Sequence, residues 1–245
     1  RRRGRLVTLV VAASLWSTPP ALLADEAVRL AAAGLRRWHW DVSDGVFAAP
    51  GGFDPDTVCR LSRLTGLPGE AHLMVSDPLA EIDAWTAVCD TVIVHVEAAG
   101  WATAVSRIRA AGRRAGVAIS PSTPLSALDD LPPDVAVLVM SITPGQAGST
   151  FLPSTLSRLD ALAGDGGADA DDGRDVVGGG AGRRALGVDG GVTLDHAHDC
   201  ATHGATWVVS GSALCGAADP ASWLETASAA PVGASDDARV VERRR

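Results

Sequence analysis

Thr91-Val92-Ile93-Val94-His95-Val96-Glu97, then the stretch Trp101–Ala111, then Gly116-Val117-Ala118-Ile119-Ser120, occupy residues 91–120. The first and last runs are short, apolar and rich in Val and Ile, as in strands covered on both faces. The segment between them has a helical pattern. Strand, helix and strand in that order form the βαβ unit of a parallel sheet.

The same rhythm runs outward in both directions. The predicted strands are Leu6–Ser14, Arg37–Val42, Ala71–Val75, Thr91–Glu97, Gly116–Ser120, Val135–Ile142, Ala185–Asp189 and Thr206–Ser210. The predicted helices are Ala21–Ala33, Asp56–Leu64, Leu79–Val88, Trp101–Ala111, Leu125–Leu131, Ser154–Ala163, Leu194–His203 and Pro220–Ser228. Ser76-Asp77-Pro78 and Asp219-Pro220 are helix starts, and Gly34 and Gly204 are helix stops. Eight repeats within 245 residues predict an α/β fold, a single (β/α)8 TIM barrel. A doubly wound open sheet usually has fewer strands, and its G-x-G-x-x-G fingerprint is absent.

Two segments stand outside the rhythm. Gly164–Arg184 is rich in Gly and Asp and cannot bury a core, so it is expected to be a flexible insertion before the seventh strand. It lacks the spacing of a calcium loop. The residues from Pro231 to Arg245 are expected to be a disordered tail, leaving residues 1–230 as the barrel. Arg1–Arg5 followed by Leu6–Leu15 mimics a secretory leader. We read a first strand instead, because the run is β-branched and the barrel needs it to reach eight. No apolar run reaches the roughly 18–20 residues of a membrane span.

Composition narrows the chemistry. All 21 basic residues are Arg. Without lysine the chain cannot form a Schiff base, hold pyridoxal phosphate or build a Walker phosphate loop. A net charge of −8 argues against nucleic acid as a partner. Cys59, Cys89, Cys200 and Cys215 form no C-x-x-C pair and read as buried thiols of a reducing compartment, so a cytoplasmic location is expected.

In a barrel the functional side chains collect at the C-terminal strand ends. Here those ends carry His39-Trp40-Asp41, Ala71-His72-Leu73-Met74, His95-Val96-Glu97 and Asp189-Gly190-Gly191. Side chains alternate along a strand, so His39 and Asp41 share a face, as do His72 and Met74, and His95 and Glu97. His39, Asp41, His72 and Asp189 are therefore candidate ligands for one divalent metal, with Zn, Fe, Mn and Co all compatible with mixed N/O ligation. His95 and Glu97 either orient those ligands or form a hydrogen-bonded core pair. His196 and His198 lie two apart on a helix and are expected to face solvent. Glycine-rich turns at Pro144–Ser149, Asp189–Gly191 and Ser210–Ala213 suit a phosphate cradled by backbone N–H groups without a lysine.

These stretches, together with Ile119-Ser120-Pro121-Ser122-Thr123-Pro124 and Val137–Gly145, resemble the ribulose-phosphate 3-epimerase family, in family order over residues 6–228. The resemblance implies that His39, Asp41, His72 and Asp189 bind the metal and that Asp41 and Asp189 are the acid–base pair. It implies substrate contacts at Ser14, His72, Met74 and Met140, and at Gly145, Gly148, Gly190, Gly191, Gly211 and Ser212. A phosphorylated ketose is the implied substrate, and self-association into a homo-oligomer is implied as well. The family has Met where Ser43 stands and Asn where Ser120 stands. Its phosphate loop reads Pro-Gly-Phe-Gly-Gly-Gln, against Pro-Gly-Gln-Ala-Gly-Ser here.

Epimerisation next to a carbonyl removes a proton and returns one to the opposite face. The expected reaction is the 3-epimerisation of D-ribulose 5-phosphate and D-xylulose 5-phosphate through an enediolate. Two alternatives are an epimerase of another ketose phosphate, such as a hexulose 6-phosphate, and a non-catalytic phosphosugar-binding barrel. The lysine-dependent decarboxylases and hexulose-phosphate synthases are excluded by the missing lysine.

Overall fold

The computed structural model describes residues 8–146, 148–164, 184–230 and 232. Arg1–Arg5, nearly all of the Gly164–Arg184 segment and nearly all of the segment after Pro231 lie outside the described residues. Strands β1 (Val10–Ser14), β2 (Arg37–Ser43), β3 (Gly51–Gly52), β4 (Gly69–Met74), β5 (Thr91–His95), β6 (Arg114–Ile119), β7 (Ala136–Met140), β8 (Leu186–Asp189) and β9 (Trp207–Ser210) form one sheet. Every pairing is parallel except β2 with the two-residue β3, and β1 pairs with both β9 and β2, which closes the barrel. The expected eight-stranded barrel is present, with β3 as an addition at the mouth.

Helices α1 (Leu23–Ala32), α2 (Pro55–Thr65), α3 (Pro78–Val88), α4 (Trp101–Ala110), α5 (Ser154–Gly164), α6 (Leu194–Thr202), α7 (Ser212–Cys215) and α8 (Pro220–Ser228) follow the strands. Their starts obey simple capping chemistry. Asp54 accepts from the Thr57 N–H at 2.8 Å and Asp219 from the Ser222 N–H at 3.0 Å, each with proline next in the chain. One expected helix is corrected. Leu125–Leu131 forms only a 3-10 turn over Leu125–Leu128. Pro124 opens it and Pro132-Pro133 follow, leaving no room for an α-helical ladder.

Alternation along the strands separates two cores. Trp38, Trp40, Leu73, Val92, Val94, Val117, Val137, Val139, Val188 and Val208 face the helices. Ala12, Ile93, Ala118, Ala136, Leu138, Met140, Ala185, Trp207 and Val209 pack inside the barrel. Trp207 fills the interior only because Gly187 faces it, where an added Cβ would lie 2.1 Å from the indole. The inward positions of β2 are Arg37, His39 and Asp41, so one strand carries a charge from the barrel floor to its mouth.

At the floor, Arg37 is buried and makes a two-pronged pair with Asp90, both bonds at 3.0 Å. Asp90 is also paired with Arg114. No helix among the described residues is long and apolar enough to cross a membrane.

Candidate active site

Register places the site before any side chain is considered. Asp41 in β2 is level with His72 in β4, Ser14 in β1 with His39, and Met140 in β7 with Asp189 in β8. His39, Asp41, His72 and Asp189 each offer a ligand atom, and these atoms all lie within 4.8 Å of one another. His39 Nε2 is 3.3 Å from both Asp41 Oδ1 and His72 Nδ1, and 3.8 Å from Asp189 Oδ2. His72 Nδ1 is 3.2 Å from Asp41 Oδ1 and 3.6 Å from Asp189 Oδ2.

The outer nitrogens decide which proton faces inward. His39 Nδ1 lies 2.7 Å from Glu70 Oε1, so it donates there. His72 Nε2 meets His95 Nε2 at 2.9 Å, and His95 Nδ1 meets Glu97 Oε2 at 3.0 Å. The Glu97 carboxylate also accepts from the Ser120 N–H at 2.8 Å and the Thr123 hydroxyl at 2.5 Å. With His95 Nδ1–H donating to the Glu97 carboxylate, the neutral ring accepts at Nε2 and His72 Nε2 must donate. His72 Nδ1 is then bare and faces the carboxylates.

Titration follows from this packing. Burial disfavours a cation at His39, but Asp41, Glu70 and Asp189 outweigh it and raise its pKa well above the usual range. Burial works to raise the Asp41 carboxyl, yet His39 and His72 hold it far below the carboxylate range. Burial pushes Asp189 up to about 7, and the negative charges of Asp41 and Glu70 add to the shift. Burial lowers His72, and it lowers His95 to about 4. His39 Nε2 and His72 Nδ1 both face the carboxylates of Asp41 and Asp189. A divalent cation between them would have two imidazole nitrogens and two carboxylates as donors. The residues fit such an ion.

A cavity of about 310 Å³ opens above the carboxylates. Ser14, Asp41, Met74, Met140, Gly145, Gly148, Asp189, Gly190, Gly191, Gly211 and Ser212 all line it. His39 and His72, both fully buried, lie behind the carboxylates and do not. The Ser14 hydroxyl donates to Asp41 Oδ2 at 2.6 Å, so it orients that carboxylate from β1.

The far wall is backbone. Gly191 has φ +62, and an added Cβ would lie 2.7 Å from the Ser149 carbonyl and 2.9 Å from the Phe151 nitrogen. Glycine is therefore required where the turns after β7 and β8 meet. The Ser141 hydroxyl bonds to the carbonyls of Asp189 and Gly190 and holds that turn to the end of β7. The loop after β2 is fixed by Asp44, which accepts from the N–H groups of Val46 and Phe47 at 2.8 Å and of Ser76 at 2.7 Å, and from the Ser76 hydroxyl at 2.6 Å.

Three site-facing features escaped the sequence reading. Glu70 was outside the predicted strand, which began at Ala71. A charged residue two positions before His72, hence on the same strand face, was the available signal. The short helix α7 follows Gly211 directly and was not foreseen. His196, expected to face solvent, instead lines the cavity. Its ring stacks on Phe151 with centroids 4.2 Å apart, and Nδ1 lies 3.0 Å from the Gly191 carbonyl. His198 contacts the Thr226 carbonyl at 3.0 Å.

Comparison with known proteins agrees with this geometry. The profile described as "Ribulose-phosphate 3 epimerase family" matches residues 10–215. Ribulose-phosphate 3-epimerase of Mycobacterium tuberculosis is 36% identical over 219 residues, covering 86% of this chain and 88% of the relative. The chloroplastic ribulose-5-phosphate-3-epimerase of Arabidopsis thaliana is 32% identical over 216 residues, covering 86% and 73%. Among solved structures, 3-hexulose-6-phosphate synthase from Salmonella typhimurium superposes with a TM-score of 0.62 at 18% identity, covering 90% of this chain and 97% of that one. The 3-keto-L-gulonate-6-phosphate decarboxylase from Vibrio cholerae gives 0.62 at 14%, covering 90% and 97%. At those identities the two structures speak for the barrel alone. The chain belongs to the ribulose-phosphate 3-epimerase family, a family of isomerases.

Proposed function

We propose that the chain is a metal-dependent 3-epimerase that interconverts D-ribulose 5-phosphate and D-xylulose 5-phosphate. The observation that carries this reading is the placement of Asp41 and Asp189 on one cavity with His39 and His72 behind them, all four offering ligand atoms within 4.8 Å of one another. Asp41 is held ionised by two imidazoles, while burial and its neighbours push Asp189 up to about 7. One site thus offers a base and an acid near neutral pH. The aspartates come from β2 and β8 and line one cavity.

In the proposed reaction the ionised carboxylate takes the C3 proton from one face of the ketose. The protonated one returns a proton to the opposite face of the enediolate, and the reverse reaction exchanges the roles. Met74 and Met140 supply an apolar, polarizable wall that keeps water from the intermediate. His39, Asp41, His72 and Asp189 would hold one Zn²⁺, Fe²⁺, Mn²⁺ or Co²⁺ ion. When bound, such an ion offsets negative charge developing on the substrate oxygens. The phosphate would rest on the backbone of the turns after β7, β8 and β9.

The test is metal analysis and a substrate panel on one preparation. The expected result is about one divalent ion per chain, with loss of turnover on chelation. The pentulose phosphates should react faster than a hexulose 6-phosphate. Undiminished turnover after chelation and in both Asp41→Asn and Asp189→Asn would overturn the reading.

A further inference from the structure

Among the described residues that line the cavity, two are acids, Asp41 and Asp189, and no arginine is present. The chain has no lysine to offer. A phosphorylated ligand brings further negative charge into this space. The one imidazole among the described lining residues is His196.

Its placement suits the task. His196 stands in the first turn of α6, beside the Gly191 turn. Stacking on Phe151 at an interplanar angle of 18° fixes the ring plane. The 3.0 Å contact from Nδ1 to the Gly191 carbonyl fixes the rotation of the ring and uses Nδ1–H as a donor. Nε2, on the opposite edge of the ring, has no partner among the described residues. The two features that hold the ring, Gly191 and Phe151, also line the cavity.

We propose that His196 is a direct ligand of the substrate phosphate. It would meet the phosphate at Nε2, the ring nitrogen that Gly191 and Phe151 leave without a partner. This rests on the reading of the cavity as a phosphosugar site, and it makes His196 a determinant of affinity rather than of the proton transfers. Charge-assisted hydrogen bonds to phosphate are about twice as strong as neutral ones, so losing this one should weaken binding about ten-fold.

A competing role is helix capping, because the His196 ring also approaches the Thr193 N–H at 3.4 Å, as a capping-box residue does. Glutamine serves equally well at that position of a capping box. The experiment therefore titrates inorganic phosphate calorimetrically into the full chain and into its His196→Ala and His196→Gln variants, with Tm recorded for each.

The expected result is a phosphate Kd raised about ten-fold in both variants, with Tm kept in His196→Gln. KM for the phosphorylated ketose should rise by a similar factor, with kcat within about two-fold of the parent. No phosphate binding by the parent chain, an unchanged Kd in both variants, or a Kd restored to the parent value by glutamine would overturn the proposal. Phosphate binding that depends on His196 in a chain without epimerase activity would instead overturn the proposed reaction and leave this inference standing.

Discussion

On the β2–β4–β5 side of the cavity, function is carried by side chains on rigid strands, each imidazole held at its outer nitrogen. On the β7–β8–β9 side, Asp189 at the end of β8 apart, the wall is backbone in glycine-rich turns. The first side positions charge through covalent register and second contacts: Glu70 behind His39, and Glu97 behind His95 and His72. The second positions N–H groups by allowing chains to approach as closely as glycine permits. Their chemistry differs accordingly. In the proposed reaction the strands would fix where a proton or cation sits, and the turns would shape a space for an anion. His39, Asp41 and His72 on the strand side match the family's residues while Ser43 at the end of β2 departs from them, and on the turn side Gln146 and Ser149 depart. Where a contact is made by backbone, a changed side chain leaves the N–H in place.

Substitutions on the two sides should separate turnover from affinity. The largest effect is expected for Asp189→Asn, which removes one of the two proposed proton carriers. Turnover should fall by about 10³-fold or more while phosphate affinity stays, as read by steady-state kinetics beside phosphate titration. A comparable loss of phosphate affinity would break the proposed division. Glu70→Gln comes next. It keeps the shape and removes the charge behind His39, and metal affinity should fall by about 10-fold, within the range seen when outer partners of metal ligands are altered. Equilibrium dialysis with Zn²⁺ or Mn²⁺ checks this.

Gly191→Ala tests the other side. It forces a side chain into a left-handed turn already 2.7 Å from a carbonyl, so KM should rise and stability should fall by about 1–3 kcal/mol. Thermal melts and KM measured together would show both effects.

The smallest effect is expected from acid. Burial raises the Glu97 carboxyl, but its bonds to His95, Thr123 and the Ser120 N–H outweigh this and lower it to about 2. A depressed carboxylate contributes stability that is full above its unfolded pKa near 4.5 and lost as pH falls toward 2. Melts of the parent chain should weaken across that window. Glu97→Gln should lack this component while being less stable at neutral pH. An identical acid slope in the two proteins would remove Glu97 from the account.

The parallel barrel was legible because both faces of its strands are covered, which leaves short, nearly continuous apolar runs. The four-residue His/Asp cluster was legible because strand alternation and strand-end position suffice to place it. Glu70 was not, since strand starts are poorly marked and a two-residue error at Gly69 hid an inward-facing carboxylate. The 125–131 stretch has helical spacing, but the prolines on either side limit it to one tight turn. His196 was misjudged for a different reason. Spacing within a helix says which residues share a face, but only the barrel shows that the first turn of α6 faces the mouth.

Asp44 has a dynamic consequence. One carboxylate accepts from the amides of Val46, Phe47 and Ser76, which belong to two separate loops. These amides should share one opening event in hydrogen exchange, well below the free energy of global unfolding. The rim after β2 and the rim after β4 would then open as a single unit, with Asp44 as its latch.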